Sequence, residues 1–198
     1  MATKTISGEQ EIYQIKVTLL WTKLPIWRRL LVPSSLTLAQ LHDVLQTAMG
    51  WEDCHMHEFT AGKRRFGGPE LSEGFMGDPE VESERATRLS AVLARVGAKM
   101  IYTYDFGDGW EHSIVLEKRL PPEQDAVYPI CLDGQRACPP DDCGGIPGFY
   151  HLLEILANPK HKEHNGMLEW VGGAFDPEAF SVDKINKSLS PKRRPRKK

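Results

Sequence analysis

From Tyr13 onward, apolar and polar positions alternate. Tyr13, Ile15, Val17, Leu19 and Trp21 fall on one side, and Gln14, Lys16 and Thr18 on the other. A period of two with one apolar face predicts a half-buried strand. Thr22-Lys23-Leu24-Pro25 reads as a turn, and Ile26 to Val32 as a second, antiparallel strand ended by Pro33. The period then changes. Leu38, Leu41, Leu45, Ala48 and Met49 recur at helical spacing behind Thr37, a good N-cap, and Gly50 fits the C-terminal stop. His42 lies one turn from Leu38 and from Leu45, at the edge of that helix's buried face, where a core or boundary histidine is expected.

Cys54 to Phe59 begins another strand, with His55, His57 and Phe59 on one face. Residues 62–87 are rich in Gly, Glu, Arg and Pro, show no period and predict a long loop. Leu89, Val92, Leu93 and Val96 suggest a short helix closed by Gly97. Met100–Phe106 and Trp110–Lys118 predict a hairpin around Gly107-Asp108-Gly109, whose glycines supply the positive-φ positions of a tight turn. Trp110, His112, Ile114 and Leu116 share an apolar face, so His112 points inward. After Leu120-Pro121-Pro122 the chain reads as irregular up to Gly148. Phe149–Leu156 and His161–Val171 look helical, Asp176-Pro177 opens a further helix, and a last short one spans Val182–Leu189. The order is strands with one helix, more strands, then helices. It predicts a single α+β domain over residues 11–190, with an unstructured N-terminus at 1–10 and an unstructured tail at 191–198.

Composition narrows the class. The chain has 198 residues and 40% hydrophobic content, enough for a real core. No apolar run reaches the roughly 18–20 residues of a membrane span, and the N-terminus has no apolar signal core. The expectation is a cytoplasmic protein with no membrane partner. Net charge is −2, but Lys192, Arg193, Arg194, Arg196, Lys197 and Lys198 fall in the last seven residues. Without them the body carries 19 basic against 27 acidic residues. An acidic body argues against a broad nucleic-acid face. The tail is either a solubilising end or a charge-driven, non-specific contact for nucleic acid through residues 191–198.

Two sets of residues carry candidate chemistry. Cys131-x6-Cys138-x4-Cys143 sits in a stiff loop of prolines and glycines with little regular structure to hold it. A zinc ion held by Cys131, Cys138 and Cys143 would supply that stabilisation, with Cys54, His112 or His151 as a fourth ligand. The alternative is buried thiols packing beneath the loop. The second set is a pocket near the hairpin turn, formed by His42, His55, His57, Asp105, Asp108 and His112. Imidazole with carboxylate suits a divalent metal or general acid–base work. Against it, Asp105 and Asp108 have turn amides to satisfy. The five tryptophans are most simply core.

Several segments resemble the plasmid pRiA4b ORF-3-like family. They are Leu41-His42 through Met49-Gly50-Trp51, His55-Met56-His57-Glu58-Phe59, Tyr104-Asp105-Phe106-Gly107-Asp108-Gly109-Trp110-Glu111-His112, Cys138-Pro139-Pro140-Asp141-Asp142-Cys143-Gly144-Gly145 and Phe175–Phe180. The resemblance spans roughly 11–190. It implies a roll-like antiparallel sheet with packed helices in one domain, and an association with mobile elements under a passenger, resolvase-like label. A serine resolvase needs a nucleophilic serine among arginines and a separate helix-turn-helix. Ser34, Ser35, Arg28 and Arg29 are the nearest candidates. They follow an antiparallel hairpin, and no C-terminal helix-turn-helix is apparent. With no complete catalytic constellation, the leading expectation is an accessory or interaction protein with an unknown protein partner, carrying a structural metal in one version. The alternatives are a metal-dependent hydrolase or nuclease using the His/Asp pocket, and a protein that binds nucleic acid through its tail.

Overall fold

The alternating segment that opens the chain pairs as expected. Strand β1 (Ile12–Leu19) runs antiparallel to β2 (Ile26–Pro33), with Ile15 opposite Leu30 and Leu19 opposite Ile26. The computed structural model describes residues 11–72 and 80–190, so the expected unstructured N-terminus and the basic tail lie outside the described residues. Trp21 does not extend β1. It sits in the turn at φ 65° and is exposed, donating its indole N–H to Glu111 Oε2 at 2.8 Å.

Helix α1 (Leu38–Met49) begins at a complete capping box. Thr37 Oγ1 accepts from Gln40 N, and the Gln40 side chain accepts from Thr37 N, so two orphan amides are satisfied at once. Gly50 closes the helix in the left-handed conformation. Its last turn contains no basic residue. Arg28 of β2 supplies the missing cation from outside. Its guanidinium is buried and donates to Ala48 O, Trp27 O and Gln135 O.

The remaining strands are β3 (His57–Ala61), β4 (Arg64–Gly67), β5 (Val81–Ser83), β6 (Lys99–Tyr104), β7 (Trp110–Leu120) and β8 (Ile130–Gln135). They join β1 and β2 in one open sheet of order β5-β4-β3-β6-β7-β1-β2-β8. The pairings are antiparallel except β4 with β5. The short helices α2 (Pro69–Ser72) and α3 (Leu89–Val92) lie along the chain before β6, while α4 (Gly145–Ala157), α5 (His164–Trp170) and α6 (Val182–Leu189) follow β8. The α+β expectation holds, and the sheet is open at both edges.

Three local expectations fail. Residues 62–87 are not a plain loop, because they contain β4, α2 and β5. The β3–β4 turn is made by Gly62 at φ 62° with Lys63, and Phe66 anchors β4 opposite Phe59, both fully buried. One aromatic per four-residue strand leaves no period to read. Within the supposedly irregular stretch after Pro122, β8 pairs along β2 despite Asp133-Gly134. Asn186 of α6 stands in for a further strand there: its side chain accepts from Cys131 N at 2.7 Å and donates to Cys131 O at 2.9 Å. Finally, Asp176-Pro177 forms a turn rather than a helix start; Asp176 Oδ1 accepts from Glu178 N.

The core lies between α1 and one face of the central strands. Tyr102, Tyr104, Trp110, His112, Ile114 and Leu116 all point to that face, with Tyr102 paired to His112 and Tyr104 to Trp110. Of the tryptophans, Trp51 and Trp110 are buried, while Trp21 and Trp170 are exposed. Replacing Thr37 with alanine should cost about 1 kcal/mol in urea unfolding, and Thr37→Ala with Gln40→Ala little more, because the two form one reciprocal cap.

Candidate functional site

Helix α1 brings two polar side chains, His42 and Gln46, over Tyr102 of β6. Four residues apart, they share a helical face. Their partners fix a proton chain. Asp53 N donates to Gln46 Oε1 at 3.0 Å, so the Gln46 amide nitrogen is the one that donates to the Tyr102 hydroxyl at 2.8 Å. The hydroxyl's single hydrogen then goes to His42 Nδ1 at 2.8 Å. Neutral His42 therefore carries its proton on Nε2 and donates it to Asp53 Oδ1 at 2.7 Å. Burial is the main cause holding the His42 pKa below the ordinary histidine value; the charge of His57 adds to it and Asp53 opposes it.

The His57 ring lies flat against that of His42, with centroids 3.5 Å apart and planes within 5°. Two imidazolium rings in that arrangement would repel, so the stack disfavours a positive charge on His42. His57 Nε2 meets Glu84 Oε2 at 2.7 Å, with both side chains nearly buried. These dyads floor a polar cleft of about 500 Å³, with Asp43, His55 and Glu70 also on its walls.

Beside the cleft, two signature segments interlock. Asp105, at φ 54°, accepts from Gly107 N at 2.9 Å and from Asp108 N at 3.3 Å, which closes the β6–β7 turn. Asp108 Oδ2 accepts from Gly144 N at 3.0 Å. Gly145, at φ 66°, packs so tightly that a Cβ would stand 2.5 Å from Asp108 O, so no other residue fits there without displacing the turn. Across the same seam, Trp51 Nε1 donates to Pro139 O and Glu52 N to Asp141 Oδ2.

His55 stands in this seam. Its Nε2 lies 3.1 Å from Asp142 Oδ1 and 3.7 Å from Asp105 Oδ2. The atom is buried and makes no well-formed hydrogen bond among the described residues; the same is true of Asp141 Oδ1. Burial also raises the Asp141 pKa. Ligand atoms of His55, Asp105 and Asp142 lie within 4.8 Å of one another, as do those of Cys54, His55 and Asp141, and those of His42, Asp43 and Asp53. Asp53, Asp105 and Asp142 all adopt positive φ, at 55°, 54° and 58°. Left-handed backbone costs a non-glycine residue energy, least for Asp and Asn, and tends to gather at functional sites.

The six residues expected to form one pocket thus divide. His42 and His57 meet in the cleft, and His55 with Asp105 forms the seam. Asp108 is a loop tie. His112 stays out of both: it is fully buried beneath Tyr102, with its Nδ1 3.1 Å from Tyr102 O. His42, His57, His112 and Asp105 therefore do not converge on one ion. His55 also lies before β3 rather than within it.

The cysteines do not assemble either. Among the described residues, Cys131, Cys138 and Cys143 belong to no group with ligand-distance sulfurs. Cys131 Sγ faces Asp133 O at 3.6 Å, and Cys138 lies between Arg28 and Met49. Burial raises all three thiol pKa values, to about 11 at Cys138 and about 12 at Cys143.

Sequence reasoning missed Gln46, Asp53, Glu84, Tyr102 and the roles of Asp141 and Asp142. Only Gln46 had a readable signal, its i+4 spacing from His42. Glu84 lies in the aperiodic stretch 62–87, whose pattern predicts only a loop.

A family model described as plasmid pRiA4b ORF-3-like protein matches residues 11–184. The chain belongs to the plasmid pRiA4b ORF-3-like family. It is 38% identical over 179 residues to the uncharacterized protein y4hQ of Sinorhizobium fredii (strain NBRC 101917 / NGR234), covering 90% of each chain. Its fold matches the crystal structure of MM3350 from Methanosarcina mazei Go1, a protein of unknown function, with a TM-score of 0.80 and 35% identity. That match covers 92% of this chain and 99% of the other. All of the family segments quoted above except Phe175–Phe180 contribute residues to the seam or the cleft.

His112 generates a pH prediction. Burial pushes its pKa down to about 4 from the ordinary 6.5. The folded state thus favours the neutral ring, a contribution fully present above about pH 6.5 and lost as pH falls toward 4. The loss should reach about 3 kcal/mol. Chemical unfolding from pH 7 to 4 should show this decline. His112→Asn, which keeps a donor for Tyr102 O, should start less stable and decline less.

Proposed function

We propose that this pRiA4b ORF-3-like protein is a metal-dependent hydrolase acting on a small substrate. The carrying observation is His55 Nε2, buried without a well-formed hydrogen bond yet within 3.7 Å of two carboxylates. One histidine and two or three carboxylates suit a borderline divalent ion such as zinc or manganese. A divalent ion held by His55, Asp105 and Asp142 would supply Lewis acidity toward water and substrate. His42 keeps its proton on Nε2 and orients Asp53. Asp53 is half exposed and offers its second oxygen to the cleft as a proton acceptor. Tyr102 and Gln46 act only through His42, as positioning residues. Asp43, Asp53, Glu70 and Glu84 outnumber Arg85 on the lining and leave the cleft net acidic, which supports a small substrate over a polyanionic nucleic acid.

The interlocked hydrogen bonds between Asp108, Gly144, Glu52 and Asp141 favour a second reading, an accessory protein in which the same ion clamps the two segments. Metal binding tests what both share. Calorimetry with zinc and manganese on the metal-stripped chain should give a single site. Asp142→Asn and His55→Ala should each weaken it by about tenfold or more. Binding that is absent, or unchanged in both variants, rejects both readings. A panel of esters and amides then separates them. Turnover lost in Asp53→Asn with metal affinity retained supports the hydrolase; metal binding with no turnover on any substrate supports the clamp.

A further inference from the structure

We infer that the hollow between α4 and α5 is the subsite for an aromatic or branched aliphatic group of the ligand whose polar end sits at the His55 seam. The hollow measures about 330 Å³ and is lined by Leu152, Ile155, Met167 and Trp170, with Asp142 and Cys143 at one end. Asp142 joins it to the seam, because its carboxylate is the one 3.1 Å from His55 Nε2.

Burial explains why this space is unlike the rest of the surface. Helix α5 buries none of its residues. Met167 and Trp170, three residues apart, line the hollow, and Trp170 remains 46% exposed. An exposed indole beside a concave apolar wall gains by covering. Size sets the class of group. A cavity of about 150 Å³ admits benzene, so this hollow takes a ring with a short linker. Polarity sets the direction. Asp142 is the one carboxylate on the lining and lies at the seam end, and His151 is the other ionisable side chain there. A neighbouring hollow of about 460 Å³ shares Asp142 and Trp170, but Glu52 and Asp141 also line it, and it suits the polar part of a ligand better.

This inference rests on the metal-dependent reading, and the test keeps the two apart. Zinc-loaded full-length protein is titrated with phenylacetate and with acetate, and metal-free protein with indole. Phenylacetate should bind about tenfold or more tightly than acetate, since the ring adds buried apolar area. Met167→Trp, which fills the hollow, should bring phenylacetate down to the acetate level while zinc binding stays as in the wild type. If that variant does not fold, Trp170→Ala should reduce the preference instead. Equal binding of the two acids to protein that binds zinc overturns this inference and leaves the proposed function standing. If zinc does not bind, the proposed function fails and indole decides. Indole binding that is weakened by Met167→Trp supports the hollow as an apolar subsite. No indole binding, or binding that Met167→Trp leaves unchanged, overturns it.

Discussion

Burying a phenol between a sheet and a helix is tolerable only if its hydroxyl is fully satisfied, and the Tyr102 hydroxyl meets that condition in one way. It accepts from Gln46 and donates to His42, both from α1. That single oxygen therefore sets how α1 sits over β6, which tautomer His42 takes, and where His42 aims its remaining proton. The position of Asp53 follows from the same chain, because its amide is held by Gln46 and its carboxylate by His42. On the other side, the Tyr102 carbonyl faces His112 Nδ1. Core packing and cleft chemistry thus share one residue. Loosening it would disturb both.

The seam obeys a different constraint. Its order comes from turns, not from ladder hydrogen bonds. Asp105 uses one carboxylate oxygen to close its own turn and leaves the other facing His55. Asp108 reaches out to the second segment, and Gly145 allows the backbones to touch. Carboxylates from separate loops arrive at one histidine because each loop is locked by a local rule. The positive φ of Asp105 and Asp142 is the conformational cost of that convergence.

Much of this was legible in the sequence, and the boundary has physical causes. Long periodic elements could be read: the Tyr13 strand, the Thr37-capped helix and the Gly107-Asp108-Gly109 hairpin each repeat a signal over several residues. Short strands such as Arg64–Gly67 and Ile130–Gln135 could not, since their pairing depends on neighbours distant in the chain. The same holds for chemistry. Residue types predicted that His42, His55, His57 and Asp105 mattered, and the apolar strand face of His112 already predicted that it points inward; only its place in the pocket failed. Cysteine spacing suggested a common site. The fold sends Cys131 to a sheet edge and Cys138 beneath α1, so the suggestion rested on nearness in sequence alone.

The Asn186 side chain at β8 has a consequence beyond its two hydrogen bonds. An amide matches the donor–acceptor spacing of a peptide unit, so it fills the slot on Cys131 where another chain's strand would dock. The terminal strand of an eight-stranded sheet would otherwise present a template for growth. By occupying one rung with a helix-borne side chain, α6 removes that rung from the template this border would offer to another strand.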